Sequence, residues 1–343
     1  MKALMSGTRR FDETSFTLAN EGIGHEINFS AVQLSKATAP QAEGYPAVIA
    51  TVADNLDAAT LAILKSGGTK LIALRSKGFN NVDLAAAERL GMRVVRVPSY
   101  SPYSVAEHVF ALLLALVRHI PQTQIRTRNE NFTIDGLVGF ELHGKTFGII
   151  GTGQIGLAVA GIARGFGCDV IAYDLNPDAA AQTSVPLSYV PLDDLIARAD
   201  IISLHIPLME TTLHLIDAAR MARMKKGVLI VNTARGAIID TVALIAALKQ
   251  GHVGGVALDV YELEDKVFSH DLSNAILSDD VLARLLTFNN VLITSHMGFL
   301  THEALKDIAA TTLASLTAFE HHEALTHEVT QPNRPALGHG SPT

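Results

Sequence analysis

Phe147-Gly148-Ile149-Ile150-Gly151-Thr152-Gly153-Gln154-Ile155-Gly156 places the pattern G-x-G-x-x-G directly after a short apolar run and at the opening of a helical one. The first glycine permits a tight turn and the second lets backbone N–H groups approach a pyrophosphate. The third allows the helix to pack close on the strand, while the helix N-terminus, where Gln154 and Ile155 stand, favours negative charge. The next apolar run ends in Ala172-Tyr173-Asp174, with Asp174 18 residues beyond Gly156. An acidic residue about 20 residues on is the one that accepts hydrogen bonds from an adenosine ribose. A carboxylate there repels a 2′-phosphate, and Leu175-Asn176-Pro177 supplies no arginine to receive one. The expected cofactor is therefore NAD rather than NADP.

Outward from this motif, short apolar runs alternate with helical patterns along the chain. Lys2–Met5, His25–Phe29, Ala47–Ala50, Leu71–Leu74 and Arg93–Val97 read as buried strands, separated by helices such as Ala58–Lys65 and Val82–Leu90. A second series reads Thr146–Ile150, Asp169–Tyr173, Ile201–Leu204, Val228–Asn232, Val256–Asp259 and Val291–Thr294. Helices Ile155–Phe166, Leu192–Ala197 and Val242–Lys249 lie between these strands. Such alternation predicts parallel sheets covered on both faces, and two series in 343 residues predict two domains. Pro98 and Pro102 interrupt regular structure at the expected boundary, and Ser104-Val105-Ala106-Glu107 has the form of a capping box ahead of a long apolar helix. The amphipathic stretch Ala304–Glu320 is expected to cross back onto the first domain. The fold class is thus α/β: two Rossmann-like domains with parallel sheets flanking a cleft. Residues 1–100 with 299–343 form a discontinuous substrate domain and residues 101–298 the NAD-binding domain. Pro332–Thr343 reads as a loose tail.

Composition narrows the function. Hydrophobic residues make up 48% and charged residues 18%, the balance of an ordinary globular protein. A net charge of −7 argues against a nucleic-acid partner, which needs a basic face. The apolar run Val109–Val117 is far short of the roughly 20 residues of a membrane span, and Met1–Met5 is too short for a signal peptide, so a cytosolic protein without a membrane partner is expected. The single cysteine, Cys168, excludes an intrachain disulfide framework and reads as a small core residue. No His/Asp/Glu spacing suggests a metal.

Three polar residues stand at or just beyond strands of the second series: Arg235 after Val231-Asn232-Thr233-Ala234, Glu264 closing Asp259-Val260-Tyr261-Glu262-Leu263-Glu264, and His296 after Val291–Thr294. Ligands of open α/β sheets bind outside the carboxyl ends of the strands. A 2-keto acid presents a carboxylate, which a guanidinium meets as a planar, permanently charged fork. Hydride addition leaves charge on the carbonyl oxygen, and a histidine is suited to supply the proton. A carboxylate would orient that imidazole. Arg235, His296 and Glu264 fit these roles, although Glu262 and Asp265 are rival carboxylates in the same acidic loop.

With these residues the chain resembles the D-2-hydroxyacid dehydrogenase family, and within it the fermentative D-lactate dehydrogenase branch. The likeness is dense at Ala73-Leu74-Arg75 through Gly78-Phe79-Asn80-Asn81-Val82-Asp83 and at Val97–Pro102. It continues at Gly151–Gly156, Val231–Asp240, Asp259–Glu264 and Ser295–Leu300. The resemblance implies that Arg235 binds the substrate carboxylate and that His296 is the acid/base, paired to Glu264. It also implies that N–H groups near Lys77 and Gly78 grip the carboxylate from the opposite domain, that Tyr100 borders the substrate at the hinge, and that Phe299 lines the pocket. Asp259 and the Thr233–Ala234 backbone would meet the nicotinamide carboxamide, with His205 and Pro207 lining that ring's site. D-stereochemistry comes from the resemblance alone.

The interval of 32 residues from Glu264 to His296 is longer than the phosphoglycerate and glyoxylate branches would have, and Asp265–Arg284 resembles the insertion of the lactate branch. No sensor domain is expected to follow. The activity implied is reduction of pyruvate to D-lactate. A larger acid such as phenylpyruvate or ketoisocaproate is the alternative, because no motif defines the pocket near Thr51–Ala53. An NAD(H)-sensing binding protein, like the C-terminal-binding transcriptional corepressors that share this fold and triad, is a reading of another class. The apolar helix Val105–Arg118 is a candidate interface, and the resemblance implies a homodimer or a homotetramer built from dimers.

Overall fold

The computed structural model describes residues 1–178, 180, 185–264, 267–268 and 271–329, so the expected tail at Pro332–Thr343 and the rival carboxylate Asp265 lie outside the described residues. The chain divides into two compact units, one made of Met1–Ser101 with the chain from Thr301 on, the other of Pro102–Leu300.

In the first unit, β1 (Lys2–Met5), β2 (Glu26–Phe29), β3 (Ala47–Ala50), β4 (Leu71–Leu74) and β5 (Arg93–Arg96) form a parallel sheet in the order β2-β1-β3-β4-β5. This is a doubly wound order that reverses between β1 and β3. β3 and β4 are buried at every residue, which is why they read as unbroken apolar runs rather than alternating ones. Helices α1 (Arg10–Ala19), α2 (Ala58–Ser66) and α3 (Leu84–Arg89) cross between strands. The side chains of Asp57 and Asp83 accept N–H groups of Thr60 and Ala86 at the starts of α2 and α3.

In the second unit the helices are α4 (Pro102–Val117), α5 (Ile120–Arg128), α6 (Gln154–Gly165), α7 (Leu192–Arg198), α8 (Ala218–Arg223), α9 (Thr241–Lys249) and α10 (Asp280–Leu286). The strands are β6 (Thr146–Ile150), β7 (Asp169–Tyr173), β8 (Ser188–Tyr189), β9 (Ile201–Leu204), β10 (Val228–Asn232), β11 (Val253–Leu258) and β12 (Val291–Ile293). They form one parallel sheet ordered β12-β11-β10-β9-β6-β7-β8. Its order reverses between β6 and β9, and the glycine turn leaves β6 at that point, where sheets of this kind hold their ligands. Two cores cover the sheet, one including Leu195, Ile202, Ile230 and Leu244, the other Phe110, Phe147, Val159 and Leu229. Cys168 is fully buried among the second group. The last helix, α11 (His302–Glu320), belongs to the first unit and packs on α1 and β4.

Three readings of the sequence change. Ser104 and Glu107 do not cap α4: the helix starts two residues earlier at Pro102, whose fixed φ and missing N–H suit a first helical position. Most of Val105–Arg118, the candidate interface, is committed to its own unit, with Val109, Phe110, Leu112, Leu113, Leu116 and Val117 buried in the core. β11 begins at Val253 rather than Val256: Val253 and Gly255 pair with β10 on either side of a bulge at Gly254, and the two glycines have no side chain to signal a strand. Finally, α1, α5, α8 and α10 were not legible; α1 (RFDETSFTLA) buries only Asp12 and Phe16, too few for an apolar stripe. No single helix among the described residues is long and apolar enough to cross a membrane; α4 and α5 together have the length but are bent by 58°.

Candidate active site

The glycine turn fits a dinucleotide. Gly151 has φ +97, and a Cβ there would lie 2.6 Å from the His205 carbonyl oxygen. A Cβ on Gly156 would lie 2.0 Å from the Gly151 oxygen, so α6 packs against the turn at backbone distance. Above Gly153, the N-cap of α6, no atom comes within 4 Å of an added Cβ, which leaves the helix N-terminus open to a pyrophosphate. Asp174, at the end of β7, accepts the N–H and hydroxyl of Thr152 on one oxygen and the N–H of Asn176 on the other. Burial pushes its carboxyl up, but these donors outweigh burial and hold it below the ordinary range, so it stays charged. Leu175 is exposed beside it, and Leu175-Asn176-Pro177 carries no cation for a 2′-phosphate.

The far end of the cradle is equally suited. The Thr233 hydroxyl is buried and makes no hydrogen bond among the described residues, a group in want of a partner. His205 follows β9, and its Nε2 lies 2.8 Å from Ser203 Oγ. Burial pushes its imidazole far below the histidine range, so this ring stays neutral at physiological pH. Pro207, two residues on, is exposed, and its carbonyl accepts the Thr212 hydroxyl. Ile155 is half-buried in the first turn of α6 and Gln154 exposed there.

Arg235 is presented by the end of β10. Asn232, fully buried, accepts the Ala234 N–H and donates to the Arg235 carbonyl, which turns the chain sharply. The guanidinium donates to the Ala234 carbonyl at 2.7 Å. A Cβ on Gly236 would lie 2.0 Å from the Tyr261 carbonyl carbon, so the Arg235 turn and the Tyr261–Glu264 loop are in backbone contact.

Glu264 Oε1 lies 2.9 Å from His296 Nδ1, and its other oxygen accepts the Tyr261 N–H at 3.0 Å. A carboxylate can only accept, so Nδ1 carries a proton and Nε2 is the nitrogen left to exchange one. Glu262 instead meets His214 at 2.6 Å and the Thr241 hydroxyl at 2.8 Å. Tyr261 is buried and donates its hydroxyl to Asp279, the N-cap of α10. Thus part of the long Glu264–His296 interval anchors the loop that carries Glu264.

Asp259 takes a place the sequence did not suggest. Its carboxylate is 2% exposed and accepts Thr294 Oγ1 at 2.5 Å, the Met297 N–H at 2.9 Å, the Gly298 N–H at 2.8 Å and His108 Nε2 at 3.2 Å. Burial raises this carboxyl, and the four donors overcome burial and hold it charged. Its carbonyl also accepts the His296 N–H. Asp259 therefore builds the turn that carries His296. Phe299, half-buried, follows in that segment within the second unit.

In the first unit, Lys77 and Gly78 follow β4. Arg96 donates to the Lys77 carbonyl and the Ser76 hydroxyl to the Gly78 carbonyl, which fixes this loop. Tyr100 is half-buried in the segment after β5. Beneath the loop lies a buried network that the sequence reading missed. The Arg75 guanidinium donates to Asp12 and to the Ser6 and Gly7 carbonyls, Asp54 accepts the Ser6 hydroxyl and the N–H groups of Leu34 and Thr51, and Asn81 donates to the Thr51 and Asp54 carbonyls. Burial raises the carboxyls of both Asp12 and Asp54. Arg75 and Asn81 fell inside recognisable blocks without a role, whereas Asp12 gave no signal.

The sequence profile of the D-isomer specific 2-hydroxyacid dehydrogenase NAD binding domain matches residues 110–298. The D-lactate dehydrogenase of Escherichia coli (strain K12) is 45% identical over 329 residues, 96% of this chain and 100% of its own. The aromatic 2-oxoacid reductase of Clostridium sporogenes is 41% identical over 321 residues, 93% of this chain and 96% of its own. Among solved structures, the apo form of the Escherichia coli D-lactate dehydrogenase matches with a TM-score of 0.88 at 44% identity, covering 96% of this chain and 100% of that one. The pyruvate reductase of Chlamydomonas reinhardtii matches with a TM-score of 0.90 at 40% identity, covering 95% and 98%. Likeness of this extent, over both units of the chain, settles the family: the chain belongs to the D-isomer specific 2-hydroxyacid dehydrogenases and is an NAD-dependent oxidoreductase.

Proposed function

We propose that this enzyme reduces pyruvate to D-lactate, with His296 as the acid/base. The observation that carries the reading is the His296–Glu264 contact at 2.9 Å, in the same unit as the dinucleotide cradle. NADH, when bound, supplies the hydride that goes to the carbonyl carbon. His296 gives its Nε2 proton to the carbonyl oxygen as charge develops there, and Glu264 holds Nδ1 throughout. The ring then recovers a proton from solvent, so one keto acid, one NADH and one proton become one hydroxy acid and one NAD. Arg235 grips the substrate carboxylate, which makes the acid group a requirement for turnover. In the first unit, the Lys77 and Gly78 N–H groups and Tyr100 are the proposed substrate contacts, with Phe299 on the pocket in the second. Thr233, Ala234, His205 and Pro207 would surround the nicotinamide, and Asp174 the ribose.

Steady-state NADH oxidation with pyruvate, 2-ketobutyrate, ketoisocaproate, phenylpyruvate and glyoxylate, followed by chiral analysis of the product, tests this. Fastest turnover with pyruvate, yielding D-lactate, supports the proposal; a preference for phenylpyruvate favours the second reading, which the likeness to an aromatic 2-oxoacid reductase supports. For assembly, we propose that a second copy of the chain covers the exposed apolar residues Ile125, Phe132, Ile134 and Val138, the last 90% exposed. Phe132→Glu should then shift the mass measured by light scattering to that of a monomer, and an unchanged mass would refute this surface.

A further inference from the structure

We infer that His108 is a positioning residue for His296, acting through the carboxylate of Asp259. The inference rests on the reading of His296 as acid/base and concerns what holds that ring in place. Thr294 Oγ1 donates to Asp259 Oδ1 at 2.5 Å, so its proton is spent there. His108 Nε2 lies 3.1 Å from that hydroxyl oxygen and 3.2 Å from Asp259 Oδ1, and both atoms can only accept from it. The ring nitrogen must therefore carry a proton and donate it.

The same aspartate collects the N–H groups of Met297 and Gly298, while its carbonyl takes the N–H of His296. The turn bearing His296 thus hangs on one residue. That turn is costly by itself: His296 has φ +54, a left-handed conformation that costs a non-glycine residue roughly 1–2 kcal/mol. Such backbone persists where its surroundings over-determine it. Of the donors to the Asp259 carboxylate among the described residues, His108 alone comes from outside the stretch 259–298. It stands on α4, whose neighbouring Ala106, Val109 and Phe110 are buried, so its attachment is rigid. His108 ties the orientation of Asp259, and through it the His296 turn, to the core of the unit.

The test compares His108→Leu with His108→Gln, which keeps an N–H donor at about the position of Nε2. With pyruvate and NADH, His108→Leu should lower kcat by about 10–100-fold, the penalty for displacing a reacting group by around an ångström, with the KM for pyruvate little changed. His108→Gln should restore most of that loss. Wild-type kcat in His108→Leu overturns the inference, and so does an equal loss in both variants, which would make the ring a packing element only. Should His108→Leu fail to fold, His108→Asn, with a donor too short to reach, takes its place. His296→Ala is measured in parallel: if it keeps turnover, the acid/base reading itself is wrong, whereas an inactive His296→Ala beside a fully active His108→Leu defeats only the role given to His108.

Discussion

Two histidine–glutamate pairs hang from one short loop: Glu264 meets His296 at 2.9 Å, and Glu262, two residues earlier, meets His214 at 2.6 Å. The backbone does not tell them apart, since His214 and His296 have φ +49 and +54, although Glu262 meets Nε2 of its histidine and Glu264 meets Nδ1. What differs is the rest of each member's bonding. The second oxygen of Glu262 takes the Thr241 hydroxyl at the start of α9, and the His214 N–H reaches the Ala237 carbonyl. That pair braces three segments. The second oxygen of Glu264 is held by its own loop, and His296 sits on a turn built by Asp259. Its ring is oriented at Nδ1 by an internal partner while its other nitrogen remains for chemistry. Each ring is bonded to its glutamate through one nitrogen, so the pairs differ in what they join: one braces three segments, and the other sits on the turn that Asp259 builds.

The comparison breaks most easily by truncation. His296→Ala should lower kcat by about 10²–10⁴-fold with NADH binding, followed by fluorescence, nearly intact, while His214→Ala should lower it less than about tenfold. Equal losses would erase the distinction. Arg235, whose turn abuts the loop carrying both glutamates, sharpens it next. Arg235→Lys replaces a fork by a point charge, a loss of roughly 1.5–3 kcal/mol for a charged hydrogen bond, so the KM for pyruvate should rise about 10–100-fold; an unchanged KM would remove Arg235 from the substrate. A smaller effect separates the two carboxylates. Glu262→Gln should reduce unfolding stability by about 1–2 kcal/mol with kcat within a fewfold of wild type, and Glu264→Gln should do the reverse.

The mildest effect is on pH. The unfolded chain binds a proton at His205 below the ordinary value of 6.5, which the folded chain refuses until pH falls to about 3. The unfolded state therefore holds more protons in that window, and stability falls as pH drops through it, by at most about 1.4 kcal/mol per pH unit from this group. His205→Gln should flatten that part of the stability-against-pH curve in urea titrations; an identical slope would mean that His205 titrates normally.

Much of this was legible in the sequence because it depends on local chemistry. A glycine turn between strand and helix, and strands buried on both faces, leave patterns within a dozen residues, and β6, β7, β9 and β10 begin and end where those patterns do. Arg235, Glu264 and His296 could be proposed because each stands at or just beyond a strand end. What the sequence could not show is which of several similar groups face each other. Nothing in Tyr261-Glu262-Leu263-Glu264 says that the first glutamate turns to His214 and the second to His296. That choice is made by Tyr261, locked to Asp279 across 18 residues. Likewise Asp12, Arg75 and Asp54 are far apart in the chain, and only the folded sheet makes them neighbours.

The helix α11 has a consequence for how the molecule comes into being. It lies against α1 and β4, with Ile308, Leu313 and Leu316 buried, and His25 of the first unit reaches its Thr317 at 2.9 Å. On the ribosome, α1 and β4, against which this helix packs, emerge before the whole of Pro102–Leu300, and their cover emerges after it. The second unit, continuous in sequence, can close while the first still shows an apolar flank, so the usual N-terminal-first order of folding is inverted. Until α11 docks, the newborn chain exposes apolar surface of the kind that chaperones bind.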